Sequence, residues 1–253
     1  MSTTATGSHA AEHTGEKSPE DHSQLLGLLW VARPVPAAAF AAAIALVAAI
    51  SGRTALGVLL AAAAAFTGQL LLAVLNDVAD RRTDREVGRP GKPVADGRLI
   101  KGNATFMIAL LVLLVVPLSL TNGTLAGLFH LGFLAVAAVG TFALRASVLS
   151  PLPWAASYAL LPFFLSYGGV GGGTHGSVPT TAAVVLAALL GVGVHFLRAL
   201  PDLVADHRGD VTHLPLRLGL RIGATRLLAA TVVYVALVTA GLAYVLLGPG
   251  LGR

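Results

Sequence analysis

Aspartates recur at two places in the sequence with the same spacing. In the strings LNDVADRRTD and LPDLVADHRGD, three polar side chains follow one another at i, i+4 and i+8. They are Asn76, Asp80 and Asp84 in the first string and Asp202, Asp206 and Asp210 in the second. On a helix this spacing predicts three side chains on one face, and the likeness of the two strings hints at an internal repeat.

Carboxylates at this spacing point to a metal and an anion. Like charges at i, i+4 repel each other on a bare helix, and Mg²⁺ neutralises them because it prefers carboxylate oxygens and commonly bridges to substrate phosphates. Asp77, three residues before Asp80, lies within reach of Asp80 on the same helix. Arg and Lys flank both strings, and guanidinium groups pair well with phosphate oxygens. The pattern therefore predicts a bound Mg²⁺-diphosphate.

The rest of the chain is that of a membrane protein. Of the 253 residues 55% are hydrophobic and only 11% are charged, whereas a soluble domain carries about 25% charged residues. We predict an all-α, multi-pass transmembrane bundle of seven helices around a central cavity, because about 20 apolar residues span a bilayer. The predicted segments are Leu25–Ile50, Ala55–Leu75, Ala104–Leu120, Leu125–Leu144, Val148–Tyr167, Val178–Leu200 and Ala224–Leu247.

The distribution of charged residues predicts how the chain is oriented in the membrane. Both Asp strings lie on the same side of the predicted bundle, with every Lys and Arg except Arg53 and Arg253, so we expect the N-terminus and both Asp-rich loops in the cytoplasm. Residues 1–23 are expected to be a disordered polar tail and residues 24–253 the membrane domain. The basic residues lie in loops between apolar helices, so the net charge of +5 indicates the bilayer and not nucleic acid. The absence of Cys excludes thiolate chemistry.

Other polar side chains near the strings are candidates for the site. Arg33 and Arg198 are expected either to contact phosphate or to have structural roles; Arg198 lies on one helical stripe with His195, Asp202 and Asp206. His195 is either a general base or part of an interhelical hydrogen bond, and His130 is expected to be structural. Five aromatic residues on the fifth predicted helix either face a carbocation or form an interfacial belt: Trp154, Tyr158, Phe163, Phe164 and Tyr167.

These strings resemble the motifs of the UbiA superfamily of intramembrane prenyltransferases. NDVADRRTD matches the family's NDxxDxxxD motif, RPGKPVADGRL resembles the basic stretch after it, and DLVADHRGDVTHLPLRLG resembles the second motif with its Leu-Pro…Arg-Leu-Gly tail. The resemblance implies a helical bundle whose central cavity is capped by both Asp loops. It also implies Mg²⁺-dependent loss of diphosphate from an isoprenyl diphosphate, followed by alkylation of an aromatic or other lipophilic acceptor.

Carried over residue by residue, the resemblance assigns Mg²⁺-diphosphate binding and catalysis to the Asp motifs, and phosphate contacts to Lys92 and Arg98. The implied ligands are Asn76, Asp80, Asp84, Asp202 and Asp206, to which we add Asp77 and Asp210 as candidate metal ligands. The family usually has nine membrane helices, two more than are counted here. The bundle is then expected to be genuinely short, to be completed by a partner, or to belong to a shortened chain.

Three rival functions stay open at this level. A terpene cyclase of the same superfamily ionises the same diphosphate and closes the chain on itself. A cation transporter uses carboxylates too, although transporters more often place them near the bilayer midplane. An inactive membrane scaffold is the third. The acceptor, the prenyl chain length and a possible homo-oligomer are not indicated by any motif.

Overall fold

The computed structural model describes residues 23–168, 176–209, 211–248 and 251. Every regular element among them is a helix. The eleven α-helices of the described residues are α1 Ser23–Ala32, α2 Pro34–Ile50, α3 Ala55–Glu86, α4 Lys101–Leu120, α5 Thr124–Val139, α6 Pro151–Ala159, α7 Leu161–Tyr167, α8 Thr181–Ala199, α9 Leu203–Arg208, α10 Leu214–Ile222 and α11 Ala224–Leu247. The predicted tail falls almost wholly outside the described residues, and the predicted all-helical fold is confirmed.

Six stretches of helix are long and apolar enough to cross a bilayer, and the chain is an integral membrane protein. The stretches are Gln24–Ile50, Ala55–Glu86, Lys101–Leu120, Thr124–Leu144, Thr181–Arg208 and Ala224–Leu247. At 1.5 Å per residue, α3 with its 32 residues is roughly 48 Å long. It therefore extends well past a hydrocarbon core of about 30 Å, and its last turns carry the first Asp motif out of the apolar layer.

The first predicted segment is broken at Arg33, which separates α1 from α2. Arg33 has φ 49° and ψ 60°, the left-handed region that non-glycine residues rarely adopt. Pro34 accounts for the break, because a proline ring disfavours the helical conformation of the residue before it. Such strain persists only where surrounding structure holds it, and here it places a basic residue at the mouth of the bundle.

The predicted helix Val148–Tyr167 is wrong in its detail. It begins at Pro151 and is split into α6 and α7 at Leu160, so neither half is long enough to span a bilayer alone. Pro162 lies in the first turn of α7; a proline is tolerated there but has no N–H to continue the helix before it.

Small residues let the helices pack closely around the interior, as is usual in membranes. Neighbours pack in the order α2 on α3, α3 on α4, α4 on α5, α5 on α6 and α7, α6 on α8, and α8 on α11. A Cβ at Gly127 would lie 2.7 Å from the carbonyl oxygen of Ser119, and one at Gly191 would lie 2.3 Å from that of Trp154. Side chains larger than hydrogen at these positions would force the helices apart.

One end of the bundle, hereafter the distal end, is tied by a buried arginine. Arg53, between α2 and α3, donates hydrogen bonds of 2.8 Å to the carbonyls of Phe164 and Leu165 and one of 3.2 Å to Asn122. Its guanidinium also lies 5.5 Å from the ring centre of Phe164. Burial lowers the pKa of Arg53 to about 10, so it stays charged at neutral pH.

Candidate active site

The opposite end, hereafter the polar end, is built around the loop of residues 87–100, hereafter the basic loop. Asp77 of α3 is buried beneath it, where one carboxylate oxygen accepts a hydrogen bond of 3.2 Å from the backbone N–H of Val94. Gln24 of α1 holds the far end of the loop, accepting from Ile100 N–H and donating to the carbonyl of Arg98. The loop is thus fixed at both ends over the last turns of α3.

The four polar residues of the first motif do not share one face. A spacing of four residues rotates a side chain by about 40° around a helix, so two such steps carry Asp84 about 80° from Asn76 and close to the direction of Asp77. Asn76 and Asp80 accordingly line a cavity, whereas Asp77 and Asp84 are buried under the basic loop. The expectation that Asn76, Asp80 and Asp84 face one way is therefore wrong.

Lys92 of the basic loop joins those two buried carboxylates. Its Nζ lies 3.0 Å from Asp84 Oδ2 and 3.5 Å from Asp77 Oδ1. The side chain of Asp84 is fully buried, and neither of its oxygens has a hydrogen-bond partner among the described residues. Asp84 is therefore held by ion pairing with the basic loop, with Lys92 on one oxygen and Arg89 on the other.

Arg89 of the same loop reaches both Asp motifs. Its Nη1 lies 3.2 Å from Asp84 Oδ1 and 3.9 Å from Asp202 Oδ2, and its Nη2 pairs with Asp206 Oδ1. Only 10% of this side chain is exposed. Burial lowers the pKa of Arg89, but the carboxylates of Asp206, Asp202 and Asp84 outweigh it and raise the pKa above its ordinary value. One guanidinium thus connects carboxylates that are more than a hundred residues apart in the sequence.

A π-helical turn, Gly140–Leu144, follows α5 and supplies the opposite wall. Such turns are rare and often occur at functional sites. Thr141 within it donates a hydrogen bond of 2.6 Å to Asn76 Oδ1, and Arg145 just after it pairs with Asp80. A Cβ at Gly140 would lie 2.3 Å from Pro153 Cβ, so a glycine is needed for α5 to approach α6 here.

The second motif spans a break in the helix. Pro201 ends α8, Asp202 closes a short 3₁₀ turn, and Asp206 lies on α9. His213 fixes the carboxylate of Asp206: its Nδ1 accepts the N–H of Leu216 at the start of α10, so its Nε2 donates to Asp206 Oδ2 at 2.8 Å. The tautomer follows from this hydrogen bond.

These side chains surround a polar cavity of about 160 Å³. Carboxylates of both motifs meet five cationic side chains in it. Lining residues from the motifs are Asn76, Asp80, Asp202 and Asp206, and the cations are Arg33, Arg89, Lys92, Arg145 and Arg198. The structure thus brings Arg33, Lys92 and Arg198 to the place where the sequence predicted phosphate contacts.

Of the described residues predicted to contact phosphate, Arg98 is not brought to the cavity. Its guanidinium pairs with Asp96, with Nε 2.8 Å from Asp96 Oδ2, and its side chain is 54% exposed. The pairing raises the pKa of Arg98 and, despite partial burial, lowers that of Asp96. Asp210 lies outside the described residues. Both assignments stay predictions, and the geometry favours Arg89 over Arg98 as the second cation of the basic loop.

A second cavity of about 240 Å³ continues from the polar one into the apolar interior. The two share six lining residues: Arg33, Ala73, Asn76, Thr141, Trp154 and Arg198. Gln69 and Leu72, which precede Asn76 on α3, also line the second cavity, as do Phe133 on α5 and Tyr158 on α6. These positions lie one to two helical turns further from the polar end, so the second cavity runs toward the distal end.

Aromatic rings close the apolar cavity at its inner end. Phe133 stacks on Phe40 with ring centres 5.8 Å apart, and Tyr158 meets both rings edge-on at about 6 Å. His130 stacks behind Phe133, with ring centres 6.0 Å apart. Phe40, Phe133 and Tyr158 are hereafter the aromatic floor.

The five aromatic residues considered together in the sequence fall into separate groups, because a rotation of about 100° per residue places Phe163 on the face opposite Trp154. Trp154 and Tyr158 of α6 line the apolar cavity. Phe163 and Tyr167 of α7 stack on Phe129 instead, and Phe164 lies under Arg53 at the distal end. A role in facing a carbocation is thus confined to Trp154 and Tyr158, because the other three rings do not line the cavity.

The two histidines considered from the sequence have different surroundings. His195 lines the polar cavity with Nε2 3.0 Å from Ser150 Oγ. His130 is fully buried, with Nδ1 2.8 Å from Ser119 Oγ. The hydrogen bond of His195 between α8 and the start of α6 is interhelical, as one of the two readings expects.

The carboxylates fit a magnesium ion that arrives with a phosphate, but not one bound by protein alone. Among the described residues no three Asp, Glu or His side chains are grouped closely enough to hold a metal. Mg²⁺ needs fewer protein ligands than that, because it is usually bound through one or two carboxylates and substrate phosphates. Asp80, Asp202 and Asp206 line the cavity, and their carboxylates suit such a shared ion.

Sequence reasoning missed Arg89, Arg145, Thr141 and His213 as site residues. Each contacts a motif residue from another element, between 7 and 117 positions away. A signal for Arg89 was present, since it begins the RPGKP string from which Lys92 was chosen. Arg145 was the one basic residue between the fourth and fifth predicted helices.

Solved structures with a fold similar to that of this chain include two of a UbiA homologue and one of a synthase. A UbiA homologue from Archaeoglobus fulgidus bound to DMAPP and Mg²⁺ has a TM-score of 0.64 at 17% identity, over 86% of this chain and 77% of that one. The same homologue bound to GPP and Mg²⁺ gives 0.61 at 18%, with the same coverage. A digeranylgeranylglyceryl phosphate synthase gives 0.56 at 19%, over 83% of this chain and 75% of that one.

The family of the chain is shown by its sequence. No curated protein matches the chain, but residues 35–252 match the model of the UbiA prenyltransferase family. That stretch includes both Asp motifs, the basic loop and every helix from α3 onward. The resemblance noted in the motifs is confirmed: the chain belongs to the UbiA prenyltransferase family.

Proposed function

We propose that this protein is a Mg²⁺-dependent prenyltransferase that ionises an isoprenyl diphosphate and transfers the prenyl group to a lipophilic acceptor. The observation that carries the proposal is the joined pair of cavities. A polar cavity, where two Asp motifs meet five cations, opens into an apolar one with an aromatic floor. A charged head and an apolar tail are the two parts of an isoprenyl diphosphate.

The cations of the polar cavity would bind and orient the diphosphate. Arg33 and Arg198 line both cavities, so they are placed for the phosphate that carries the prenyl carbon. Lys92 and Arg145 lie on opposite walls. Mg²⁺, when bound by Asp80, Asp84, Asp202 and Asp206, would supply charge stabilisation as the diphosphate departs. Fixed cations add to this, because they need no reorganisation when the leaving group becomes charged.

The apolar cavity would protect the allylic cation left behind. Trp154 and Tyr158 present aromatic rings along the wall, and aromatic faces attract a cation at distances up to about 6 Å. The guanidinium of Arg198 already lies 5.3 Å from the ring centre of Trp154. That contact holds Arg198 between the head and the tail of the substrate.

The size of the cavity favours a short prenyl chain. A cavity of about 150 Å³ binds benzene, which has six carbons. By that proportion the apolar cavity of about 240 Å³ has room for roughly ten carbons. GPP, bound by the Archaeoglobus fulgidus homologue, is an isoprenyl diphosphate of that length.

We also propose that the polar end faces the cytoplasm. Among the described residues, every Lys and Arg except Arg53 belongs to the helix ends and loops at this end, and loops rich in Lys and Arg stay on the cytoplasmic side. Carboxylates confined to one end also argue against a transporter with a site at the midplane.

Product analysis separates transfer from its rivals. The protein in nanodiscs would be incubated with geranyl diphosphate and Mg²⁺, with and without a lipid extract of the host. A prenylated lipid that forms only with extract supports transfer. A cyclised hydrocarbon formed without extract would assign the protein as a terpene cyclase. Neither product, in either arm, would contradict the proposal and favour a transporter or a scaffold.

A further inference from the structure

We infer that Arg89 is a built-in counter-ion that holds the two Asp motifs together in the empty enzyme and prevents Mg²⁺ from binding without diphosphate. This inference rests on the proposed function. It concerns the order in which metal and substrate bind.

The contacts of Arg89 are those of a cation at the centre of the site. Its guanidinium touches carboxylates of both motifs, with Asp84 at 3.2 Å, Asp202 at 3.9 Å and Asp206 in direct contact. A divalent ion bridging the motifs would need the same oxygens. Since the Arg89 side chain is nine-tenths buried, the two cations compete for one space.

The surrounding groups strengthen that competition. Lys92 takes the other oxygen of Asp84, Arg145 pairs with Asp80, and the Nε2–H of His213 donates to Asp206. The carboxylates of both motifs are therefore already compensated by fixed protein charges. A hydrated Mg²⁺ loses water reluctantly, so it gains little by displacing these partners on its own.

A diphosphate changes the balance because it gives the displaced cations a new partner. The Nε–H of Arg89 is buried and has no acceptor among the described residues, so this arginine has a donor to spare for a phosphate oxygen. Guanidinium groups bind phosphate in a bidentate manner. Turning Arg89 from the carboxylates to the diphosphate would free the Asp84 and Asp206 oxygens for the metal at the same time.

The predicted consequence is strong positive coupling between metal and diphosphate. Coupling is reciprocal, so each ligand raises the affinity of the other by the same factor. Direct ligation of the metal by the diphosphate contributes to such coupling in any case, so the share that belongs to Arg89 is the part that is lost when Arg89 is replaced. The position of Arg89 also explains why two Asp strings can stay close together before any metal binds.

The test measures Mn²⁺ binding by electron paramagnetic resonance, with purified full-length protein in detergent, in the absence and presence of inorganic pyrophosphate. For the wild type we expect pyrophosphate to tighten Mn²⁺ binding by about tenfold or more. Arg89→Met should bind Mn²⁺ more tightly than the wild type without pyrophosphate, and with much weaker coupling. Arg89→Lys, which keeps the charge, should retain most of the coupling.

Arg82→Met is the matched control. It removes an exposed cation of α3 whose side chain pairs with Glu86 and does not line the cavity, so its coupling should equal that of the wild type. Equal Mn²⁺ affinity of the wild type with and without pyrophosphate would overturn the inference, and this result needs no variant to fold. So would an Arg89→Met protein, folded by its unfolding temperature, that binds Mn²⁺ no better than the wild type. Failure of the proposed function has a different readout, because inorganic pyrophosphate contains no prenyl group to ionise.

Discussion

The aromatic floor should set the longest prenyl chain that this protein accepts. Phe133 has only 1% of its surface exposed and closes the inner end of the apolar cavity. With room for roughly ten carbons, the wild type should use five- and ten-carbon diphosphates. A fifteen-carbon chain would overlap the floor. Since one misplaced methylene in a tight pocket already costs about 1–3 kcal/mol, its kcat/KM should be at least about tenfold lower than that of geranyl diphosphate.

Phe133→Ala should lengthen the accepted chain by one isoprene unit. The substitution removes six ring carbons, slightly more than the five carbons of that unit. We expect the ratio of kcat/KM for fifteen carbons over ten carbons to rise by about tenfold or more, which reverses the penalty just described. The assay is pyrophosphate release from diphosphates of five to twenty carbons. A Phe→Ala change in a core costs about 3–5 kcal/mol of stability, but a ratio of two substrates on one protein is insensitive to the folded fraction.

Phe129→Ala is the matched control for this prediction. It removes the same ring from the same helix, but Phe129 stacks on Phe163 and Tyr167 and does not line the apolar cavity. Its chain-length profile should equal that of the wild type. A wild type that uses twenty-carbon and ten-carbon diphosphates equally well would refute the reasoning, as would an unchanged profile in Phe133→Ala.

Three further changes test other parts of the account. Gly140→Ala brings a methyl group within 2.3 Å of Pro153 Cβ, so overpacking should cost about 1–3 kcal/mol and displace the π-helical turn. Its unfolding temperature and pyrophosphate release should both fall, whereas Gly132→Ala, with only ordinary contact at 3.4 Å, should leave both unchanged. Arg53→Met should lower the free energy of unfolding by on the order of 3 kcal/mol, because hydrogen bonds from a buried charge are lost, yet preserve KM; a changed KM would contradict a purely structural role. Asp77→Asn should raise KM for the diphosphate and speed proteolysis of the basic loop, and an unaltered cleavage rate would show that the carboxylate does not anchor that loop.

The sequence was sufficient to predict the helical membrane fold and to predict that the two Asp motifs lie close together. Apolar length alone predicts the six stretches that are long enough to cross a bilayer. Both Asp strings emerge at the same end only when α6 and α7 together are counted as one further crossing. The sequence was not sufficient to predict where the membrane helices are interrupted. Pro34 and Pro162 begin new helices, while Pro117 lies inside α4 without ending it. The same residue type thus acts differently according to its tertiary surroundings.

The side-chain partners of the motifs were the least predictable part of the site. Arg98 is held by Asp96, two residues away, whereas Arg89 reaches Asp206 across 117 residues. A spacing rule describes contacts within one helix, and nothing in it says which loop cation folds over which carboxylate. The i, i+4, i+8 rule also failed for Asp84, because its rotation of about 40° per step accumulates.

Mg²⁺-dependent release of pyrophosphate from geranyl diphosphate tests the central claim most directly. The wild type should release pyrophosphate with Mg²⁺ and the host lipid extract, and not with EDTA. Asp80→Asn combined with Asp206→Asn should abolish release, while Asp96→Asn, which removes a carboxylate of the polar end that does not line the cavity, should retain it. Equal release by the double variant, or release that persists in EDTA, would contradict the assignment of these carboxylates to a metal-bound diphosphate.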